Sequence, residues 1–256
     1  MEYLVAVILG LVQGAMEFLP VSSSGHIVLL SRWFNIGETL TLSIILHVAT
    51  LLSVVVVFWR PLLALIKKPF SKKSLMVVVA CICTGVIAII FKKFLEDSFG
   101  GALLPYCFLV TAVLLLVTQF LTRKIKIGEP LNYKKAALVG LAQGIAILPG
   151  ISRSGSTICA ALLNKTDREE AADFSFIISL PIIIASAVFD IIDLAGSGGN
   201  VANALSLPWL AILLAFVIAF VVGVFCVKFM RRLTKKNILW PFSVYLIIIA
   251  TLAFIF

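Results

Sequence analysis

GLVQGAMEFLPVSSSGH (residues 10–26) lies over GLAQGIAILPGISRSGS (residues 140–156) without a gap at an offset of 130 residues. Seven positions are identical: Gly10/Gly140, Leu11/Leu141, Gln13/Gln143, Gly14/Gly144, Ser22/Ser152, Ser24/Ser154 and Gly25/Gly155. Each stretch is an apolar segment broken in its middle by Gly, Ser and Pro. A shared QG followed at the same distance by SxSG is an internal repeat, and internal repeats decide architecture before any single helix does.

The solvent around these stretches follows from composition. The chain of 256 residues is 62% hydrophobic and 13% charged, with a mean hydropathy of +1.17. Soluble domains run near a quarter charged, so this chain lacks the polar surface to wrap a core in water. The bilayer is its solvent, and 1–256 reads as one membrane domain. The net charge of +9 sits in short loops between apolar runs, which marks cytoplasmic loops and excludes nucleic acid as a partner. The five cysteines lie in apolar surroundings and read as small packing groups. The N-terminus has no basic leader ahead of its apolar run and is expected to stay on the protein.

Six stretches are long and apolar enough to span: 40–58, 75–91, 102–121, 171–193, 207–227 and 238–256. Three basic loops, 60–74, 122–135 and 228–237, are placed in the cytoplasm. The uncharged connection 194–206 and the charge-balanced connection 92–101 then fall outside. With these ends fixed, the segment 136–165 enters and leaves on the cytoplasmic side, and 1–35 is most simply a hairpin entering from the outer side. Both termini are expected outside. The fold class is therefore an all-α polytopic membrane protein with six spanning helices plus two re-entrant helical hairpins. Repeat one covers 1–121, a cytoplasmic linker 122–135, and repeat two 136–256, related as an inverted-topology repeat. Non-helical backbone at membrane depth survives only where protein or a water-filled cavity surrounds it, so the two turns should meet and line a polar cavity.

The repeats differ in their chemistry. Repeat one carries Glu17, Ser23 and His26; repeat two has Ile147, Arg153 and Ser156 at those places. Ionisable groups inside a membrane segment are functional by default. Arg153 offers a planar fork for phosphate oxygens. Gly25 and Gly155 let backbone N–H groups turn inward as anion nests, with Ser caps and helix N-termini behind them. Ser23 is placed to attack phosphorus and His26, three residues on, to move the proton. Glu17 orients His26, accepts a proton, or holds a divalent cation with Gln13. Each has a plainer reading too: Ser22 and Ser24 as turn formers, His26 as a satisfied buried histidine, Glu17 and Arg153 as a structural ion pair. Their coincidence in two matched turns favours a phosphate site. His47 is divided between lining the site and bonding a neighbouring helix, and Asp173, Asp190 and Asp193 read as snorkelling or capping groups.

The run QGAMEFLPVSSSGH resembles the first signature, and LPGISRSGST the second, of the BacA-type undecaprenyl-diphosphate phosphatases. FWR at 58–60 and DFSF at 173–176 extend the resemblance over nearly the whole chain. It implies removal of the terminal phosphate from undecaprenyl diphosphate, giving undecaprenyl phosphate and inorganic phosphate. It further implies recycling of the cell-wall carrier lipid at the bacterial plasma membrane, an active site opening to the outer side, and an association with bacitracin resistance. Glu17, Ser23, His26 and Arg153 take the catalytic positions. Gln13, Ser22, Ser24, Gly25, Ser152, Ser154, Gly155 and Thr157 take substrate-binding ones. The implied cofactor is a divalent cation, Mg2+ or Ca2+, with Glu17 as its protein ligand, although Gln13 puts an amide where the family's first acidic slot also allows a carboxylate. The partners implied are the polyprenyl-diphosphate lipid and membrane lipids; a homodimer is left open. Ser23 is taken as the nucleophile and His26 as the alternative. The competing function is a lipid or anion transporter, a flippase using the same cavity, which needs no Ser23/His26 pair.

Overall fold

The computed structural model describes residues 2–34, 40–91, 94, 102–125, 127–196 and 208–255. Among them every regular element of more than one bridge is a helix: α1 (Glu2–Met16), α2 (Ser23–Phe34), α3 (Leu40–Val57), α4 (Trp59–Lys67), α5 (Lys72–Ile90), α6 (Leu104–Lys124), α7 (Tyr133–Ile145), α8 (Arg153–Leu163), α9 (Arg168–Gly196), α10 (Trp209–Lys235) and α11 (Trp240–Ile255). Both broken segments are pairs of short helices, α1–α2 and α7–α8, joined by non-helical turns at 17–22 and 146–152.

Among the described residues four helices are long and apolar enough to cross a bilayer: α5, α6, α9 over Arg168–Phe189, and α10. Leu42–Val57 and α4 make a bent pair with an angle of 82° and would be a fifth span. The sixth expected span is a helix of 16 residues, α11. At 1.5 Å per residue it is about 24 Å long, shorter than a hydrocarbon core of about 30 Å. The outer connections expected at 92–101 and 194–206 lie for the most part outside the described residues.

Two basic stretches expected as loops are largely helical. Residues 60–67 belong to α4, and α10 continues to Lys235, carrying Lys228, Arg231 and Arg232 on its last two turns. The extension is held by charge. Arg231 grips Asp173 with Nε on Oδ1 at 2.5 Å and Nη2 on Oδ2 at 2.9 Å, and Lys235 pairs with Glu169. The Arg231 guanidinium also lies 5.3 Å from the centre of the Phe58 ring, at the α3–α4 bend. Asp173 is thus an ion-pair partner joining α9 to α10 rather than a capping group. Of the cysteines, Cys107 and Cys159 are buried, while Cys81, Cys83 and Cys226 are only half-buried.

Packing between the halves is crossed. Helix α1 lies along α10, and α7 lies along α5. The repeated glycines explain how. A methyl on Gly10 or Gly14 would come within 2.6 Å of the carbonyl oxygen of Ala215 or Ala219 on α10. One on Gly140 would meet the Ala80 oxygen at 2.3 Å, and one on Gly144 the Ile87 Cβ at 2.5 Å, both on α5. These are two G-x-x-x-G faces, whose missing side chains let helix backbones touch where lipid offers no hydrophobic drive. At the α7–α5 contact Thr84 Oγ1 donates to the Gly140 carbonyl at 2.9 Å, so the close approach also satisfies a buried hydroxyl.

Candidate active site

The two turns meet one another. Gly25 lies against Gly150, where an added methyl would stand 2.9 Å from the Gly150 backbone, and Gly155 lies against Pro20 at 3.1 Å. The offset of 130 makes Gly25 equivalent to Gly155 and Pro20 to Gly150, so the contacts are reciprocal. Among the hydrogen bonds that cross the seam are the Gly150 N–H to Ser22 Oγ at 3.1 Å and Ser154 Oγ to the Leu19 carbonyl at 3.1 Å. Gly150 has a φ of 90°, and its absent Cβ would strike Cys107 Cβ at 2.7 Å; both the backbone and the space require glycine.

Equivalent serines cap the second arms. Ser152 Oγ accepts the Gly155 N–H at 3.1 Å, and Ser22 Oγ accepts the Gly25 N–H at 3.4 Å. Ser22 holds a φ of 68°, a left-handed conformation that costs a non-glycine residue about 1 kcal/mol. The fixed caps leave Ser23 and Arg153 as the first residues of α2 and α8. First-turn N–H groups, here those of Ser23, Ser24, Arg153 and Ser154, have no carbonyl partner within their helices. Two helix N-termini therefore converge on one place, an arrangement suited to an anion.

Glu17 organises the charged part. It is 6% exposed and occupies the turn that follows α1. Arg153 Nη2 donates to its Oε1, Ser23 Oγ donates to its Oε2 at 2.5 Å, and Gln13 Nε2 donates to the same oxygen at 3.1 Å. The side chains of Glu17, Phe18, Arg153, Ser154, Thr157, Ser175, Phe176 and Ser179 line a small cleft. Thr157 Oγ1 bonds Ser175 Oγ across it.

His26 is held apart from this group. Its Nδ1 lies 2.7 Å from the Ser22 carbonyl and its Nε2 2.8 Å from the Tyr245 hydroxyl. A carbonyl only accepts, so Nδ1 carries the proton, and in the neutral ring Nε2 accepts from Tyr245. The imidazole stacks on Tyr245 at 5.6 Å and 12° and meets the Phe108 edge at 5.2 Å. The hydroxyl of Ser23 is directed at Glu17, not at His26. Sequence proximity put His26 beside Ser23; one helical turn instead points the ring toward α6 and α11.

The fold thus brings Gln13, Glu17, Ser23 and Arg153 into direct contact, with Ser22, Ser24, Gly25, Ser152, Ser154 and Gly155 forming the turns that hold them. Sequence reasoning missed Tyr245, Thr111, Ser175 and Ser179. Thr111 on α6 accepts the Ser152 N–H at 3.1 Å and donates to the Gly150 carbonyl at 3.2 Å. Tyr245 stands 219 positions from its partner, on a uniformly apolar helix where a tyrosine carries no signal. His47 bonds the carbonyl of Ser43, one turn back on its own helix, at 2.8 Å. Among the described residues no group of three or more His, Cys, Asp or Glu side chains is placed to hold a metal.

The sequence profile described as Bacitracin resistance protein BacA matches residues 6–252. The chain belongs to the BacA family. It is similar to the Undecaprenyl-diphosphatase of Carboxydothermus hydrogenoformans, with 40% identity over 94% of this chain and 92% of that one. It is similar to the Undecaprenyl-diphosphatase of Halothermothrix orenii, with 36% identity over 96% and 94%, and to an Undecaprenyl-diphosphatase 4 of Bacillus cereus, with 38% over 99% and 98%. As a BacA-family member with its apolar helices, the chain is a multi-pass membrane protein.

Replacing Tyr245 with phenylalanine keeps the stacked ring and removes one hydrogen bond of about 1 kcal/mol. The expected result is a fall of roughly fivefold in turnover with an unfolding temperature close to that of wild type, read by steady-state phosphate release and thermal unfolding in detergent.

Proposed function

We propose that this protein hydrolyses undecaprenyl diphosphate to undecaprenyl phosphate and inorganic phosphate, recycling a cell-wall carrier lipid. The observation that carries the proposal is the contact of Ser23, Glu17 and Arg153 at two converging helix N-termini, in a chain whose relatives are named undecaprenyl-diphosphatases.

The chemistry follows from the donors present. Arg153 and the first-turn N–H groups of α2 and α8 bind the pyrophosphate oxygens and stabilise charge on the transferring phosphoryl group. Ser23 Oγ attacks the terminal phosphorus while its proton passes to Glu17 Oε2, already in hydrogen-bond contact. The bond from that phosphorus to the bridging oxygen breaks, and undecaprenyl phosphate leaves. Glu17 gives that proton to the departing undecaprenyl phosphate and is again a carboxylate; water then attacks the phosphoserine, its proton passes to Glu17 and on to the departing Ser23 Oγ, and phosphate is released. His26 fixes the turn through the Ser22 carbonyl, so its part is positioning.

A divalent cation, Mg2+ or Ca2+, fits this site only in company. Glu17 is the one carboxylate among the described residues of the site, and the buried Gln13 Oε1, which has no partner among them, is the second protein oxygen. Held by these two and by pyrophosphate oxygens, a cation would supply charge neutralisation. The proposal extends to orientation. The two halves are inverted-topology repeats, supported by the reciprocal Gly25–Gly150 and Gly155–Pro20 contacts and the two G-x-x-x-G faces. The protein sits in the bacterial plasma membrane with both termini outside and the site open to the outer leaflet.

The test is phosphate release from undecaprenyl diphosphate by purified protein in detergent, with chelator and with added Mg2+ or Ca2+. Release that rises severalfold with the cation is expected. Folded protein that releases no phosphate with either ion would overturn the hydrolase reading, because transport has no meaning in a micelle.

A further inference from the structure

The corner between α3 and α5 has an apolar face of which only Leu62 packs against the hydrophobic core, the rest being left exposed by the described protein. Helix α4 turns 82° from the helix before it, and none of its residues is buried. Trp59, Leu62, Leu63 and Ile66 follow the i, i+3, i+4, i+7 spacing of a single helix face. Trp59 is 51% exposed, Ile66 74%, and Phe70, just beyond the helix, 86%. Beside this face run Arg60 and Lys67, then Lys68, Lys72 and Lys73, with no acid anywhere from 40 to 90.

The corner is rigid despite its exposure. Ser71 caps α5 through the Ser74 N–H at 3.2 Å, and Ser74 Oγ donates back to the Lys68 carbonyl at 2.8 Å, closing the end of α4 onto the start of α5. The Arg60 guanidinium lies 5.4 Å from the centre of the Trp59 ring. Lys72 and Lys73 stand in the first turn of α5, where a helix dipole opposes cations. Lys73 is within electrostatic reach of Asp173; among the described residues no ion pair to an acid engages Arg60, Lys67, Lys68 or Lys72. A rigid apolar face edged by cations complements a surface with acyl chains below and anions above.

We propose that α4 and the turn to α5 form an interfacial platform that lies in the headgroup layer of one leaflet and selects anionic lipids. Trp59, Leu63, Ile66 and Phe70 enter the acyl boundary. Arg60, Lys67, Lys68 and Lys72 hold lipid phosphates, one of them shared with the N-terminal N–H groups of α5. Each basic side chain near an anionic surface contributes about fivefold in affinity. The platform is independent of the chemistry at Ser23.

The test uses the whole protein in nanodiscs of phosphatidylcholine, in which brominated phosphatidylglycerol or brominated phosphatidylcholine replaces part of the lipid. The reporter is tryptophan quenching that disappears in Trp59→Phe. The expected result is at least fivefold preferential quenching by the anionic lipid at low salt. The preference should fall toward unity at about 0.5 M salt and in the variant R60Q/K67Q/K68Q/K72Q, with phosphate release retained. Equal quenching by both lipids, or a preference untouched by the four substitutions, overturns the proposal. Trp59 left unquenched by either lipid also overturns it, since the face would then be covered by protein or water. If the variant does not fold, the salt dependence of the wild type decides.

Discussion

Ser23→Ala is expected to lower the turnover of phosphate release on the order of 10³-fold or more, with only a few degrees lost in unfolding temperature. The hydroxyl is the one uncharged nucleophile placed on a buried carboxylate, at 2.5 Å. Removing it abolishes the attack but leaves Glu17 with two donors, Arg153 and Gln13. No charge is orphaned, so the fold should tolerate the change. The measurement is single-turnover release with radiolabelled substrate, beside thermal unfolding of the same preparation. Retention of a tenth of the wild-type rate would remove Ser23 as nucleophile. Phosphate trapped on His26 would hand it that role, against the present geometry, in which both imidazole nitrogens are already engaged.

Arg153→Ala should cost both activity and stability, and this separates it from Ser23→Ala. Its loss removes the forked donor for phosphate, worth on the order of 10³-fold in turnover. It also strands Glu17, whose side chain is 4% exposed, as a buried charge with only neutral donors. Breaking a buried ion pair from one side costs about 3 kcal/mol or more. The double variant Glu17→Gln/Arg153→Ala removes both charges and should recover much of the stability while staying inactive. Arg153→Lys keeps the charge but loses the planar fork and should fall between. Thermal unfolding and phosphate release on wild type, Glu17→Gln, Arg153→Ala, Arg153→Lys and the double variant check this, and non-additivity of the Glu17 and Arg153 changes in the stability data is the signature of a direct pair. Equal stability of Arg153→Ala and wild type would show that Glu17 finds compensation elsewhere.

Much of this site was legible from residue order alone. A carboxylate, a hydroxyl and a guanidinium inside apolar segments announce themselves, because the bilayer makes each expensive. The repeat at offset 130 made the meeting of the turns foreseeable, since broken backbone at membrane depth must be shielded. Breaks at Ser22 and Ser152 followed from their glycine and serine content. The spans fared less evenly. Hydropathy separates lipid from water but not a spanning helix from one lying in the interface, so residues 60–67 passed as loop although they form α4. The extent of α10 was hidden because Lys228, Arg231 and Arg232 read as loop until Asp173 and Glu169 are seen to meet their side of the helix.

What sequence by itself determined is therefore the solvent, the helical class, the two matched turns and the identity of Glu17, Ser23 and Arg153 as a cluster. These follow from the cost of polar groups in hydrocarbon and from spacing along one chain. Only the tertiary structure decided which group each contacts. Ser23 belongs to Glu17 and His26 to Tyr245, because helix rotation, not separation in sequence, sets where a side chain points. Nor does any local rule foretell the crossing of α1 onto α10 and α7 onto α5. That follows from backbones touching through glycines where each half lends the other its helix, a relation between distant surfaces that a linear code does not display.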